Sequence, residues 1–157
     1  ELDHPLQKKV LSKIYDMCEV YSSENYPITI DGCGVPSPSI PLYNLLIGFK
    51  NLSNEYPKLI QAILDNPYIY GWENRLDTEI IQKTNGLLAK VGAGGLCIVY
   101  NINSNEGFVV KMNDASMPAR KYAVLELINK LGWAKIPYDN SIKTINGNIV
   151  GQIIVKI

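Results

Sequence analysis

The sequence predicts an α+β fold, in which helices are followed by a mainly antiparallel sheet with a closing helix. Two observations predict it. Apolar residues recur at helical spacing in the first half of the chain, whereas short runs of β-formers, separated by glycine or by a polar turn, begin near residue 87. Helices and strands that are segregated along a chain in this way favour α+β over a parallel α/β sheet.

The first helix is expected to run from Pro5 to about Tyr21. Asp3 or His4 suits the N-cap position, and proline is favoured in the first turn. Apolar side chains then recur at spacings of three and four, which is typical of one face of an amphipathic helix. They are Val10, Ile14, Met17, Cys18 and Tyr21.

The run "YPITID" is rich in β-branched residues and predicts a short strand that ends at Asp31. A turn rich in glycine and proline follows around Cys33. After it, two helical segments are expected, broken near Pro57.

A third short helix is expected in "GWENRLDTEIIQKTNG". Asp77 or Thr78 suits its N-cap and Gly86 its stop.

Three apolar segments, "LLAKVGA", "LCIVYNI" and "FVVKMND", predict an antiparallel meander joined by hairpins.

The closing helix is expected to open at Ser116 and Pro118 and to end at Gly132. Its apolar stripe would be Val124, Leu127, Ile128 and Leu131. In the tail, an Asn-Gly pair followed by alternating residues predicts a last strand.

Composition restricts the class of protein. The chain has 157 residues, the length of one domain, with 15 Lys+Arg and 15 Asp+Glu, so its net charge is zero. A domain without basic excess is a poor candidate for binding nucleic acid or an anionic membrane. Three cysteines imply no disulfide framework, and we expect a cytoplasmic protein. Because residue 1 is glutamate rather than methionine, we also expect a piece of a longer protein.

Lys90 is the first candidate for chemistry. Strand alternation places Leu88, Lys90 and Gly92 on one face, and the glycines that follow leave room for a substrate to approach the backbone. A lysine that loses hydration there becomes a better base. The competing interpretation is a lysine that protects an edge strand from aggregation, and Lys111 has the same pattern.

Cys33, between two glycines and after Asp31, permits three interpretations: a nucleophile, a zinc ligand or the filler of a small gap. The only histidine is His4, and no Cys-x-x-Cys motif is present, so the usual partners of the first two are scarce. Asp31 suits a turn cap or a ligand for a substrate amino group.

Four ordered blocks carry a resemblance to a known family. "DHPLQ", "DGCGVPSPSIPL", "KVGAGG" and "VVKMNDAS…AR…LG" occur in the order seen in the C-terminal half of the Ser-Lys type, or rhizobial-type, L-asparaginase II family. The chain thus resembles the C-terminal part of such a protein, as a single domain over residues 1–157. Members resemble serine β-lactamases and glutaminases in fold, and Lys90-Val91-Gly92 looks like the lysine-x-glycine strand beside their active sites.

The resemblance implies an amidohydrolase that converts L-asparagine to L-aspartate and ammonia. A serine of a Ser-Lys pair attacks the amide carbon, ammonia leaves, and water cleaves the acyl-enzyme. By the same resemblance Lys90 matches the lysine of one pair and is the candidate catalytic residue. Asp31, and with it Gly92, would bind substrate, and Cys33 would help bind a zinc ion.

The sequence also departs from the family. Both serines, the other lysine and the remaining zinc ligands belong to the N-terminal half, and Gly94 replaces an acidic residue after "GA". We therefore expect this chain alone to be inactive and to associate with the N-terminal part or with copies of itself. Two alternatives are a non-catalytic domain or subunit that packs against a partner chain, and a β-lactamase-like or penicillin-binding relative.

Overall fold

The computed structural model describes residues 3–21 and 26–157. The chain divides into two compact units, Glu1–Ala62 (unit 1) and Ile63–Ile157 (unit 2). Each unit contains helix and antiparallel strand, which confirms the expected α+β class. None of the helices within the described ranges has the length and apolar character that crossing a bilayer requires.

Unit 1 contains two long helices and a hairpin. Its elements are α1 (Pro5–Met17), β1 (Ile28–Ile30), β2 (Pro36–Pro38), α2 (Leu42–Glu55) and the first part of α3 (Pro57–Asp65), which contains the boundary between the units. The break between α2 and α3 near Pro57 was expected. Strand β2 was not, because proline is rare in strands and is tolerated only where its missing N–H is not needed, as at an edge.

Helix α1 begins as expected and ends early. The His4 side chain caps it, with Nδ1 accepting a hydrogen bond from Leu6 N at 3.2 Å. The helix stops at Met17 rather than at Tyr21, so the expected end was wrong. The cause is backbone conformation, because Glu19 adopts a left-handed φ of +52°, which an α-helix cannot continue through.

Unit 2 contains the meander and the closing helix. Its elements after α3 are α4 (Pro67–Gly71), α5 (Leu76–Lys83), β3 (Leu87–Gly92), β4 (Leu96–Asn101), β5 (Glu106–Lys111), α6 (Met117–Lys130), β6 (Ser141–Lys143) and β7 (Ile149–Gln152). The order β3-β4-β5 is antiparallel throughout, which confirms the meander. The expected last strand is β7, and it pairs with the unexpected β6 in a hairpin around Asn146-Gly147.

The core of unit 2 lies between this sheet and the helices α5 and α6. Alternate residues of β3 and β4 face it, in accordance with the two-residue period of a strand. Its buried members are Leu76, Ile80, Ile81, Leu87, Ala89, Val91, Cys97, Val99, Val124, Leu125, Ile128 and Ile136.

Two expectations about helices in unit 2 were wrong. The N-cap of α5 is Arg75, so Asp77 and Thr78 lie inside its first turn, and the helix ends at Lys83, before Gly86. In α6 the Ser116 hydroxyl caps as expected, but Leu131 is half exposed and a charged residue, Arg120, is buried. The tertiary contacts of Asp77 and Arg120 are described below.

Candidate functional site

The turn between β1 and β2 holds Asp31 and Cys33 against each other. The Asp31 Oδ1 atom accepts hydrogen bonds from the backbone N–H groups of Cys33 at 2.9 Å and Val35 at 3.1 Å. Gly34 has a φ of +80°, a conformation that glycine adopts without strain. The Cys33 thiol donates back to the carboxylate, with Sγ 3.1 Å from Oδ1 and 3.2 Å from Oδ2. Asp31 therefore caps the turn and also binds the thiol.

This contact shifts the acidity of both groups. Hydrogen bonds from the Cys33 thiol and from the N–H groups of Val35 and Cys33 lower the pKa of Asp31. The same hydrogen bond and the charge of Asp31 raise the pKa of the Cys33 thiol. At neutral pH Cys33 is therefore a protonated thiol, and a metal ion would have to displace its proton to bind it.

Zinc ligation by this turn alone does not fit the donor set. Zinc sites use three or four protein ligands, and the turn offers one thiol and one carboxylate. Within residues 3–21 and 26–157, no group of three or more histidine, cysteine, aspartate or glutamate residues lies close enough to hold a metal ion. Any zinc site that includes Cys33 would need ligands from elsewhere.

Lys90 lies on β3, an edge strand of the meander. Its Nζ atom is 3.4 Å from Asp77 Oδ2 and 4.5 Å from the centroid of the Tyr70 ring. The side chain is 37% exposed. The amine is thus bound to a carboxylate and covered by a ring on one side, while the rest of it remains accessible.

Asp77 is the partner that sequence reasoning missed. Its side chain is fully buried. Oδ2 accepts hydrogen bonds from the backbone N–H of Val91 at 3.2 Å and from Lys90, while Oδ1 accepts from the N–H of Thr78 at 3.2 Å and from Arg75 Nε at 3.3 Å. Asp77 therefore joins the start of α5 to the free edge of β3, where a backbone N–H would otherwise lack a partner.

The end of helix α4 packs against this carboxylate. A Cβ added to Gly71 would lie 2.2 Å from Thr78 Oγ1 and 3.0 Å from Asp77 Oδ1, so only glycine fits. The Thr78 hydroxyl donates to the carbonyl of Trp72 at 2.7 Å. Burial, with the charge of Asp77 as a smaller cause, raises the pKa of Tyr70 well above its usual value. The lysine is thus held in a closely packed polar cluster: Tyr70, Arg75, Asp77, Thr78 and Lys90.

Gly92, at the end of the same strand, lines a cavity of about 680 Å³. Its carbonyl accepts a hydrogen bond from Arg120 Nη1 at 3.1 Å, and the carbonyl of Leu96 accepts a second from the same atom at 3.2 Å. Arg120 also lines the cavity and is only 6% exposed. It interrupts the apolar face predicted for α6 because it binds the β3–β4 hairpin rather than solvent.

Lys111, the other candidate lysine, differs from Lys90 in its surroundings. It is exposed, and its amine donates to the carbonyls of Gly94 and Met112. No buried carboxylate of the described residues binds it, so it secures its own hairpin.

The predicted site residues fall into two groups. Asp31 and Cys33 lie together in unit 1, at the tip of one hairpin. Lys90 and Gly92 lie together at the end of β3 in unit 2. A sequence signal for Asp77 exists in retrospect, because an acidic residue in the first turn of a short helix directly before a strand suits binding to backbone N–H groups.

A family comparison covers both groups. The model of the family described as L-asparaginase II matches residues 1–153, which is essentially the whole chain. No curated protein matches the sequence. The match spans both the Asp-Gly-Cys turn and the strand that bears Lys90 and Gly92. On this match, the chain belongs to the L-asparaginase II family.

Proposed function

We propose that the protein is an amidohydrolase that converts L-asparagine to L-aspartate and ammonia by a Ser-Lys acyl-enzyme mechanism. The observation that carries the proposal is the family match over residues 1–153, which suggests asparaginase-type hydrolysis of a small-molecule substrate. This chain supplies part of the site, and the serine comes from an N-terminal part of the family's proteins. The 157 residues then make up the C-terminal part of a cytoplasmic protein with a serine β-lactamase-like fold.

Lys90 is the catalytic residue in this proposal. A serine hydroxyl is a weak nucleophile until a neighbouring base takes its proton, and a lysine amine within hydrogen-bond reach can do so. The Lys90 side chain is 37% exposed, so part of it can contact a second group. Its contacts with Asp77 and Tyr70 fix its position, which supports a role that depends on orientation.

Asp31 and Gly92 are the proposed substrate-binding residues. Asp31 carries a carboxylate at an exposed hairpin tip, where a substrate ammonium group can reach it. Gly92 lines a cavity large enough for a small amino acid. Cys33 would bind zinc only together with ligands that residues 3–21 and 26–157 do not bring near it, and we derive no step through that metal.

The test is ammonia release from L-asparagine by the full-length natural protein and by two lysine variants. Lys90→Ala should lower kcat at least about 100-fold, the usual size of a general-base effect. Lys111→Ala is the matched control on the opposite edge strand, β5, and should retain nearly full activity. Equal losses in both variants, or near-normal turnover by Lys90→Ala, would place the chemistry elsewhere. Urea unfolding of both variants checks that each is folded.

A second candidate function is a non-catalytic domain or subunit that packs against a partner chain or a copy of itself. The observation in its favour is a set of exposed large apolar side chains around the β6–β7 hairpin and the tail: Ile142, Ile145, Ile149, Val150, Ile154 and Ile157. Such patches mark interaction surfaces. Absence of ammonia release by the full-length protein, with a stable complex in sedimentation, would favour this candidate. A penicillin-acylated serine would instead favour the β-lactamase-like alternative.

A further inference from the structure

We propose that the cavity beside Gly92 binds the α-carboxylate of a small amino acid, L-asparagine or its product L-aspartate, and that Arg120 is the residue that binds it. The inference adds a substrate-binding residue to the amidohydrolase proposed above, and it rests on that proposal for the identity of the ligand. Three observations support it: the burial of Arg120 without a paired carboxylate among the described residues, the charge of the cavity lining, and the size of the cavity.

Arg120 is a buried cation that forms no ion pair with a carboxylate of the described residues. Its Nη1 atom is used by the carbonyls of Gly92 and Leu96, while its Nε atom is buried and has no hydrogen-bond partner in the part of the chain that the structure describes. None of the ion pairs among the described residues includes it. A buried charge is costly unless it is paired, so an anion in the cavity would relieve that cost.

The cavity lining is electropositive. Three cationic side chains line it, and no aspartate or glutamate of the described residues does. Two of them are already paired, Arg75 with Asp77 at 3.3 Å and Lys121 with Glu79 at 2.9 Å. Arg120 therefore carries the charge that remains to be compensated. The first residues of α6, Met117 and Pro118, also line the cavity, so the positive end of the helix dipole adds to the potential.

The size of the cavity suits a small ligand. Its volume is about 680 Å³, within the range of roughly 300–1,000 Å³ typical of small-molecule sites. A guanidinium group binds carboxylate or phosphate through charge-assisted hydrogen bonds. The carboxylate is favoured here because the family's reaction takes an amino acid, and Gly92 lies two residues after Lys90 in β3.

A ligand series on the unmodified full-length protein tests the inference without any mutation. L-aspartate and L-isoasparagine differ only in that the second carries an amide in place of the α-carboxylate. Calorimetry should show L-isoasparagine binding at least about tenfold more weakly, the loss expected when a charged hydrogen-bond acceptor is removed. Equal affinities, no binding of L-aspartate, or equally tight binding of inorganic phosphate would overturn the inference.

Two variants then locate the site. Arg120→Met should weaken L-aspartate binding at least about tenfold and abolish the preference over L-isoasparagine. Because Arg120 also binds two backbone carbonyls, Arg120→Lys is the second variant if Arg120→Met does not fold. Arg120→Lys should raise KM for L-asparagine with a smaller effect on kcat. Lys130→Met is the matched control, since Lys130 lies on the same helix, outside the cavity lining. Unchanged affinity in both Arg120 variants would overturn the assignment.

The outcome is separable from that of the proposed function. If the full-length protein hydrolyses L-asparagine and both Arg120 variants keep its KM and the affinity for L-aspartate, the carboxylate site is wrong and the amidohydrolase stands. If L-aspartate binds in an Arg120-dependent way and ammonia is not released from L-asparagine, the proposal of a carboxylate site is supported and the proposal of an amidohydrolase is refuted.

Discussion

Replacing Asp77 by asparagine should unfold unit 2 at a much lower urea concentration. The carboxylate is fully buried and accepts four hydrogen bonds, two on each oxygen. An asparagine side chain has one oxygen and one NH₂ group. In either orientation of the amide, the NH₂ group replaces one carboxylate oxygen and cannot accept the two hydrogen bonds which that oxygen accepted. The isosteric change is therefore not a mild one at this position.

The magnitude follows from the exposure of the four donors. Leaving the buried N–H of Val91 or Thr78 without an acceptor costs about 1–3 kcal/mol. The side chains of Arg75 and Lys90 are 44% and 37% exposed, so water replaces much of what they lose, and each adds about 0–1 kcal/mol. Because the amide leaves only one such pair of donors without an acceptor, the free energy of unfolding should fall by about 1–4 kcal/mol.

Urea titration followed by tryptophan fluorescence measures this loss, since Trp72 and Trp133 both lie in unit 2. For a slope of about 2 kcal/mol/M the midpoint should fall by about 0.5–2 M. Asp139→Asn is the control, because Asp139 also binds a backbone N–H and a lysine, at Ser141 and Lys143, but is exposed. A midpoint shift for Asp77→Asn no larger than that for Asp139→Asn would refute the reasoning.

Two further predictions concern the same unit. Gly71→Ala should lower the free energy of unfolding by about 1–3 kcal/mol, because the added methyl group overlaps the Thr78 hydroxyl. Gly32→Ala, where nothing lies within 4 Å, should leave the melting temperature by circular dichroism almost unchanged, and similar losses in both would contradict this account. Glu79→Gln should destabilise the protein at pH 7, and this loss should shrink as the pH falls through the lowered pKa of Glu79. Burial raises the pKa of Glu79, but hydrogen bonds from Lys83 and Lys121 outweigh it and lower that pKa below 4.5. The carboxylate therefore contributes stability above about pH 4.5 that is lost as the pH falls through the lowered pKa. A pH-independent loss in urea titrations would show that the ion pairs contribute nothing.

Local patterns predicted most of the regular structure. The meander, the break at Pro57 and the caps at His4 and Ser116 all follow from residue spacing and turn chemistry, which act over a few positions. Strand β2 was not predicted because it contains prolines, which are unfavourable in a strand except at an edge, and the sequence does not show that β2 lies at an edge. The end of α1 escaped because a left-handed glutamate has no sequence signature.

The same difference between local and distant contacts decided which parts of the candidate site could be predicted. The Asp-Gly-Cys turn was visible in the sequence because its hydrogen bonds join residues two to four positions apart. The partner of Lys90 was not visible, since Asp77 lies 13 positions away and its cap assignment was wrong. Arg120 was placed in the closing helix but not at a site, because its contacts with Gly92 and Leu96 span 28 and 24 positions.

The sequence by itself determined the α+β class, the antiparallel order of three strands and the resemblance to the L-asparaginase II family, which the family match confirms. Those properties depend on periodicity and on ordered motifs, which can be recognised in the sequence without knowledge of the fold. Only the tertiary structure decided which charges are buried. Whether Asp77 and Arg120 are solvated or enclosed depends on side chains brought together from distant positions, and burial is what makes one a structural anchor and the other an unpaired cation.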